Sequence, residues 1–183
     1  MLKTKLLMIA ILVGFSSRAY AEDNITNREL RPNNISAGLD FSVASFSPFG
    51  GVPFLGVEYN HNLDKNYSIG LNVKTLLILN YINASGRYYF DLIKSKSSAI
   101  YVQADAGYGI AFPPIAPGGA KSYNINYVNF NPTVGYEFRG ENGFTFNADI
   151  GPYLTYSFGI EQNTPGKFAV LPVKLGTKFG YSF

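Results

Sequence analysis

The chain has no cysteine, and its only histidine is at position 61. Without cysteine there can be no disulfide framework and no acylated N-terminal cysteine, so an exported form must be stabilised by other means. One histidine, no cysteine and no acidic loop of EF-hand spacing leave no candidate metal site and no cofactor. Charge is also scarce: Asp, Glu, Lys and Arg make up 15% of the residues, where a soluble surface carries roughly 25–35%. Beyond residue 21 no apolar run approaches the roughly 20 residues of a membrane-crossing helix. Aromatic residues, by contrast, reach 16%.

The N-terminus explains part of this. Lys3 and Lys5 precede the apolar run from Leu6 to Phe15, and Ala19-Tyr20-Ala21 follows. A positive start, a short apolar core and an A-x-A site predict a secretory signal peptide over residues 1–21, cleaved after Ala21. The signal holds Lys3, Lys5 and Arg18 and no acid. Of the 15 basic and 12 acidic residues in the chain, 12 and 12 are therefore left. The net charge of +3 belongs to the signal, and nothing suggests a nucleic-acid partner.

The remainder alternates with period two in segments of at least the roughly 9–11 residues that a tilted spanning strand needs. Eight strands are predicted, at about 35–46, 53–62, 67–78, 81–91, 98–112, 124–138, 144–158 and 168–183. One parity carries no charge. It includes Ile35, Leu39 and Phe41; Leu55, Val57 and Tyr59; Ile69, Leu71 and Val73; Ile82, Tyr88 and Phe90; Val102, Ala104 and Tyr108; Phe130, Pro132, Val134 and Tyr136; Phe144, Ile150, Pro152 and Tyr156; and Leu171, Leu175, Phe179, Tyr181 and Phe183. The other parity carries Asp40, Glu58, Lys74, Arg87, Asp105, Glu137, Asp149, Lys174 and Lys178. A charge facing lipid costs about 2–4 kcal/mol at mid-membrane, whereas a lumen tolerates it. The predicted fold is thus all-β: a transmembrane eight-stranded antiparallel up-and-down barrel over 35–183, with an inward charge network that fills it. Aromatic residues gather near the strand ends, where headgroup-level girdles belong. A secreted lipocalin-like barrel would have the same periodicity with the faces reversed, but low charge and aromatic end-bands favour the membrane.

The connectors divide into two sets. Asn62–Asn66, Ile93–Ser97 and Arg139–Gly143 are short and polar and read as periplasmic turns. Ser47–Val52, a tight turn near Asn80, Pro113–Tyr123 and Gly159–Lys167 read as outer loops. Residues 22–34 read as a flexible periplasmic segment. The proline-rich third outer loop is the candidate contact surface for lipopolysaccharide or a protein partner.

The chain finishes on Phe179-Gly180-Tyr181-Ser182-Phe183. A terminal Phe with aromatics two and four residues before it resembles the C-terminal signal of the small eight-stranded outer-membrane barrel family, the OmpA/OmpX type. Arg87-Tyr88-Tyr89-Phe90 is similar to that family's descending strands. The resemblance implies outer-membrane localisation, recognition of Phe179, Tyr181 and Phe183 by the barrel-assembly machinery, and contact with outer-membrane lipid and lipopolysaccharide. It implies no activity, because many functions share this barrel. A structural or interaction role as a monomer is expected, with a narrow pore as the alternative. In the pore reading, switching of ion pairs in the lumen admits ions.

A lipid A-modifying enzyme is the third reading. Lipid A deacylases use a His-x-Ser pair, and His61-Asn62-Leu63 has no such serine. Lipid A palmitoyltransferases need a histidine near the outer surface, and His61 falls at the periplasmic end. Omptin-type proteases require a longer, ten-stranded barrel with Asp and Asp-His pairs, which one histidine in a shorter chain does not supply. Only Pro132 and Pro152, within adjacent strands, keep this reading open: strand prolines open a lateral gap in the palmitoyltransferase family, although a local bulge is the ordinary reading.

Overall fold

The computed structural model describes residues 25–43, 52–76, 79–90, 92–93, 95–111, 125–158 and 166–183. The predicted signal peptide and most of the three longer predicted outer loops lie outside the described residues. A short helix α1 (Asn27–Leu30) precedes eight strands: β1 (Asn33–Val43), β2 (Val52–Asn62), β3 (Tyr67–Leu76), β4 (Leu79–Phe90), β5 (Ser98–Ala111), β6 (Ile125–Arg139), β7 (Phe144–Phe158) and β8 (Lys167–Ser182). Each strand pairs antiparallel with the next, and β1 pairs with β8, closing a barrel in sequence order. Closure leaves no sheet edge unpaired. Phe183 and Asn33 exchange two backbone hydrogen bonds, of 2.9 and 3.0 Å, at the end of that seam.

Parity sorts the side chains as expected. Leu55, Val57, Ile69, Leu71, Val73, Ile82, Val134 and Ile150 face outward and are half or more exposed, whereas Asp40, Glu58, Asp105 and Glu137 are at most 2% exposed. A monomer in water avoids so continuous an apolar surface.

Four departures from the sequence reading bear on the lumen and the rim. β4 begins at Leu79, and Asn80 is a strand residue opposite Thr75 rather than part of a turn. β6 runs through Arg139, which is fully buried; the sequence suggests a turn residue there, but it shares the inward parity of Glu137. β1 starts at Asn33, and residues 25–32 pack across the rim rather than trailing from it, because α1 is pinned there by hydrogen bonds. Finally, between Gly151 and Tyr153 the β7–β8 register shifts. β8 moves from Lys174 to Leu171 there, so the extra residue falls at 172–173 and the parity of β8 reverses. Above that point Phe168 and Val170 face outward, with 66% and 50% exposure. Leu171, read as outward, pairs through its backbone with the inward-facing Tyr153; its side chain lies outside the described residues.

The turn at Gly140–Gly143 closes with Gly143 at φ 91°, a conformation that favours glycine. Asn142 Oδ1 accepts the amide of Phe144 at 3.0 Å and completes it.

Candidate functional site

The lumen is where strand order and parity bring the charged residues together. Each of the nine predicted residues sits on an inward position of β1 to β8, and the structure joins them into one string. Asp105 lies 3.6 Å from Lys74, and Lys74 lies 2.8 Å from Asp40. Lys174 spans Asp40 and Asp149 at 3.6 and 3.1 Å. Lys178 spans Asp149 and Glu58 at 3.5 and 2.6 Å. Arg87 then links Glu58 at 2.5 Å to Glu137 at 3.1 Å, and Arg139 caps Glu137 at 3.1 Å. The order is acid, base, acid, base throughout, and every interior member touches two partners of opposite sign. Gln103 accepts from Arg87 Nε at 2.8 Å and donates to Asp105 at 2.6 Å, which returns the string to its start.

The alternation has an energetic reason. A buried ion without a partner costs several kcal/mol, and geometry must offset that cost by adding partners. Ten ionised groups strung with alternating sign, five of each, leave none facing only its own kind. Gly176 makes room for two of them: a Cβ there would lie 2.5 Å from Asp40 Oδ1 and 2.7 Å from Asp149 Oδ1.

Aromatic rings close the lumen on either side of this layer. Arg87 stacks over Tyr101, its guanidinium carbon 4.2 Å from the ring centre, and Tyr89 packs edge-on to Tyr101 at 5.8 Å. Tyr89 Oη donates to Glu137 at 3.0 Å. At the other end Tyr81 packs against Phe54, Tyr153 and Tyr127 at 5.8, 5.9 and 6.3 Å. Between that cluster and Asp40, Lys74 and Lys174 lies an interstice too small for a water molecule.

No protein-family model matches the chain, and no curated protein matches it in sequence. Solved structures do match. The N-terminal β-barrel domain of Pseudomonas aeruginosa OprF aligns with a TM-score of 0.53 over 81% of this chain and 96% of its own, at 14% identity. Neisserial surface protein A (NspA) gives 0.52, covering 82% and 96%, at 15% identity. The outer membrane protein OprG from Pseudomonas aeruginosa gives 0.52, covering 84% and 96%, at 12% identity. The fold is that of the small eight-stranded outer-membrane barrels. Identities this low carry the architecture alone.

The outward wall of this outer-membrane-type barrel is irregular where β6 meets β7. Pro132 and Pro152 fall opposite one another in the β6–β7 register, which runs from Phe130↔Leu154 to Val134↔Ile150 with no pairs between. Neither proline has an amide hydrogen, so that rung lacks both donors. Beside it, over Gly86, Ala104 and Pro132, the outward wall forms an apolar trough of about 770 Å³. Gly86↔Ala104 and Ala104↔Pro132 are register pairs, so the small side chains line up across three strands. His61 is part of none of this. It sits at the end of β2, Nδ1 3.0 Å from Asn33 Oδ1. Phe179, Tyr181 and Phe183 are 53–57% exposed on the outward face of the closing strand and form no part of the lumen.

Sequence reasoning missed Arg139, Arg28 and the inward aromatics Phe54, Tyr81, Tyr89, Tyr101 and Tyr153. Parity was the available signal for all but Arg28. Tyr81 and Tyr89 share it with Arg87, Tyr101 with Asp105, and Tyr153 with Asp149.

Proposed function

We propose that this chain is an outer-membrane barrel acting as a solid, non-conducting scaffold that holds its outer loops against lipopolysaccharide or a partner at the cell surface. The observation that carries this reading is the alternating string of ion pairs, stoppered by Phe54, Tyr81 and Tyr153 on one side and by Tyr89 and Tyr101 on the other. An ion crossing such a lumen must displace partners that are themselves buried. In the same reading the signal is cleaved after Ala21, the monomeric barrel spans the membrane through its apolar belt, and the Phe179, Tyr181 and Phe183 stripe is what the assembly machinery recognises. Planar-bilayer recording tests it. Wild-type protein, Glu137→Ala and Lys178→Ala should all give negligible single-channel conductance, because every stopper ring keeps its aromatic neighbours even where Tyr89 loses its bond to Glu137. Channel openings in wild type, or new ones in either variant, would favour the gated pore instead.

The unpaired rung at Pro132 and Pro152, with the trough beside it, favours a second reading in which lipid reaches the wall at this seam. Among the described residues no catalytic group lies at this seam, and we rank this reading below the scaffold.

A further inference from the structure

The segment before β1 is built like a removable part. Thr26 and Glu29 form a reciprocal cap, with Thr26 N donating to Glu29 Oε2 at 2.8 Å and Glu29 N to Thr26 Oγ1 at 3.4 Å, so α1 completes its own first turn. The segment then reaches all three hairpin ends on its rim. Asn27 donates to the Lys96 and Arg139 carbonyls at 3.0 and 2.7 Å and to Ser97 Oγ at 3.1 Å. Asn62 donates to the Arg28 and Pro32 carbonyls at 3.1 and 2.8 Å. Arg31 donates to the Gly140 and Glu141 carbonyls, and its own carbonyl accepts from Arg139 at 2.8 Å.

Two features distinguish this docking from that of a strand. First, its adhesion is polar. Ile25 and Leu30, the apolar side chains of residues 25–30, are 59% and 64% exposed and turn away from the barrel. Every rim group that the segment engages is one that water can satisfy. Second, Arg28 is surplus. It enters the lumen, is 2% exposed and lies 4.7 Å over the Tyr89 ring, yet it makes no ion pair among the described residues. Its Nε and Nη1 have no hydrogen-bond partner among the described residues. The barrel's own ten groups balance without it, so its departure strands no carboxylate.

We infer that residues 25–32 are a reversible lid over one mouth of the barrel, opening to admit water and small solutes to the layer around Glu137, Tyr89 and Thr145 while the ion-pair string stays intact. That this mouth faces the periplasm rests on the function proposed above; the lid itself does not.

The test uses the full mature chain in detergent or lipid. Thr145 is fully buried and paired through its backbone with Arg139, just behind the lid. Since the chain has no cysteine, Thr145→Cys supplies a single reporter thiol. Its labelling by a charged methanethiosulfonate should accelerate at least tenfold when Asn27→Ala removes the Ser97 and Arg139 contacts, with the thermal midpoint unchanged. An unchanged labelling rate, or faster labelling accompanied by a matching fall in midpoint, would overturn the lid. Amide exchange of the unmutated chain provides a second measurement. The amides of Asn27 and Arg31 should exchange at least a hundredfold faster than those of the β1 ladder, whereas exchange in step with the ladder would make the segment a fixed part of the wall. Neither readout depends on conductance, so failure of the lid and failure of the scaffold reading are separable.

Discussion

Glu58 is the most informative single residue in the lumen. Its Oε1 accepts from Arg87 at 2.5 Å and from Asn60, and its Oε2 accepts from Lys178 at 2.6 Å. Glu58→Gln keeps the shape and removes the charge. Arg87 is then left with Glu137 at 3.1 Å, and Lys178 with Asp149 at 3.5 Å. Removing one partner of a buried pair costs about 3–5 kcal/mol, because the other charge stays buried. The same pair in a water-filled lumen would contribute only about 0.2–1 kcal/mol. The size of the loss therefore reports directly whether the barrel is solid. The remaining second partners pull the expected value to the lower end, about 3 kcal/mol.

Lys178→Met should cost a similar amount. The double variant removes one acid and its neighbouring base, so the string loses two adjacent members and stays balanced. It should be less destabilised than the sum of the singles, by a coupling energy on the order of 2 kcal/mol. The assay is urea unfolding in lipid vesicles, with equal slopes required before midpoints are compared. Far-UV circular dichroism and heat-modifiable gel mobility serve as probes, since the chain has no tryptophan. A loss below about 1 kcal/mol for Glu58→Gln, together with additivity in the double variant, is the behaviour of a hydrated lumen. That result would refute the solid scaffold.

Three further outcomes are expected. Val73→Lys places a charge on the outward face at a site 51% exposed, and it should lower unfolding free energy in vesicles by about 2–4 kcal/mol if that face meets hydrocarbon; no loss would argue for water outside. Pro132→Val with Pro152→Val supplies two missing amide donors to strands that keep register across the gap, and should raise stability by about 1–3 kcal/mol; mass spectrometry of lipid A from expressing cells should show no acyl chain gained or lost with either form, and a change seen with wild type alone would revive the lipid-enzyme reading. Phe183→Ala should reduce the folded yield in the outer membrane severalfold while leaving refolding into detergent unchanged, because Phe183 is exposed and joins the ladder only through its backbone; equal losses in both settings would make it a folding residue rather than an assembly signal.

What could be read from the sequence was whatever depends on alternation. A period of two assigns each side chain to a face, and it placed Asp40, Glu58, Lys74, Arg87, Asp105, Glu137, Asp149, Lys174 and Lys178 inside without knowledge of register. Register then decides who meets whom, and it is set by turn geometry that composition does not reveal. Arg139 is hidden by its neighbours, since Arg-Gly-Glu-Asn-Gly looks like a turn from its first letter. The reversal of parity in β8 has one mark in the sequence, Pro172, and the apolar run from Phe168 to Val173 around it hides which face each residue takes. The lid was lost for another reason. Residues 22–34 are polar, and polarity without periodicity reads as a tail. Only the rim of three hairpins, assembled from strands far apart in the chain, gives Asn27 and Arg31 something to hold.

The string of ion pairs also explains why a barrel this narrow can be charged inside at all. Eight strands leave a lumen that side chains nearly fill, so an inward ion has neighbours but little water. A single acid–base pair would satisfy part of each group's capacity and leave the rest facing apolar walls. Arranged in series, each interior group is neutralised from two directions, and Gln103 carries the end of the string back to Arg87. Removing any one member leaves its neighbours half-satisfied, whereas removing two adjacent members preserves the alternation. The lumen should therefore tolerate charge loss in neighbouring pairs, such as Lys74 with Asp105 or Lys178 with Glu58, and resist it singly. A conducting pore imposes no such rule, because water would take the place of whichever partner was lost.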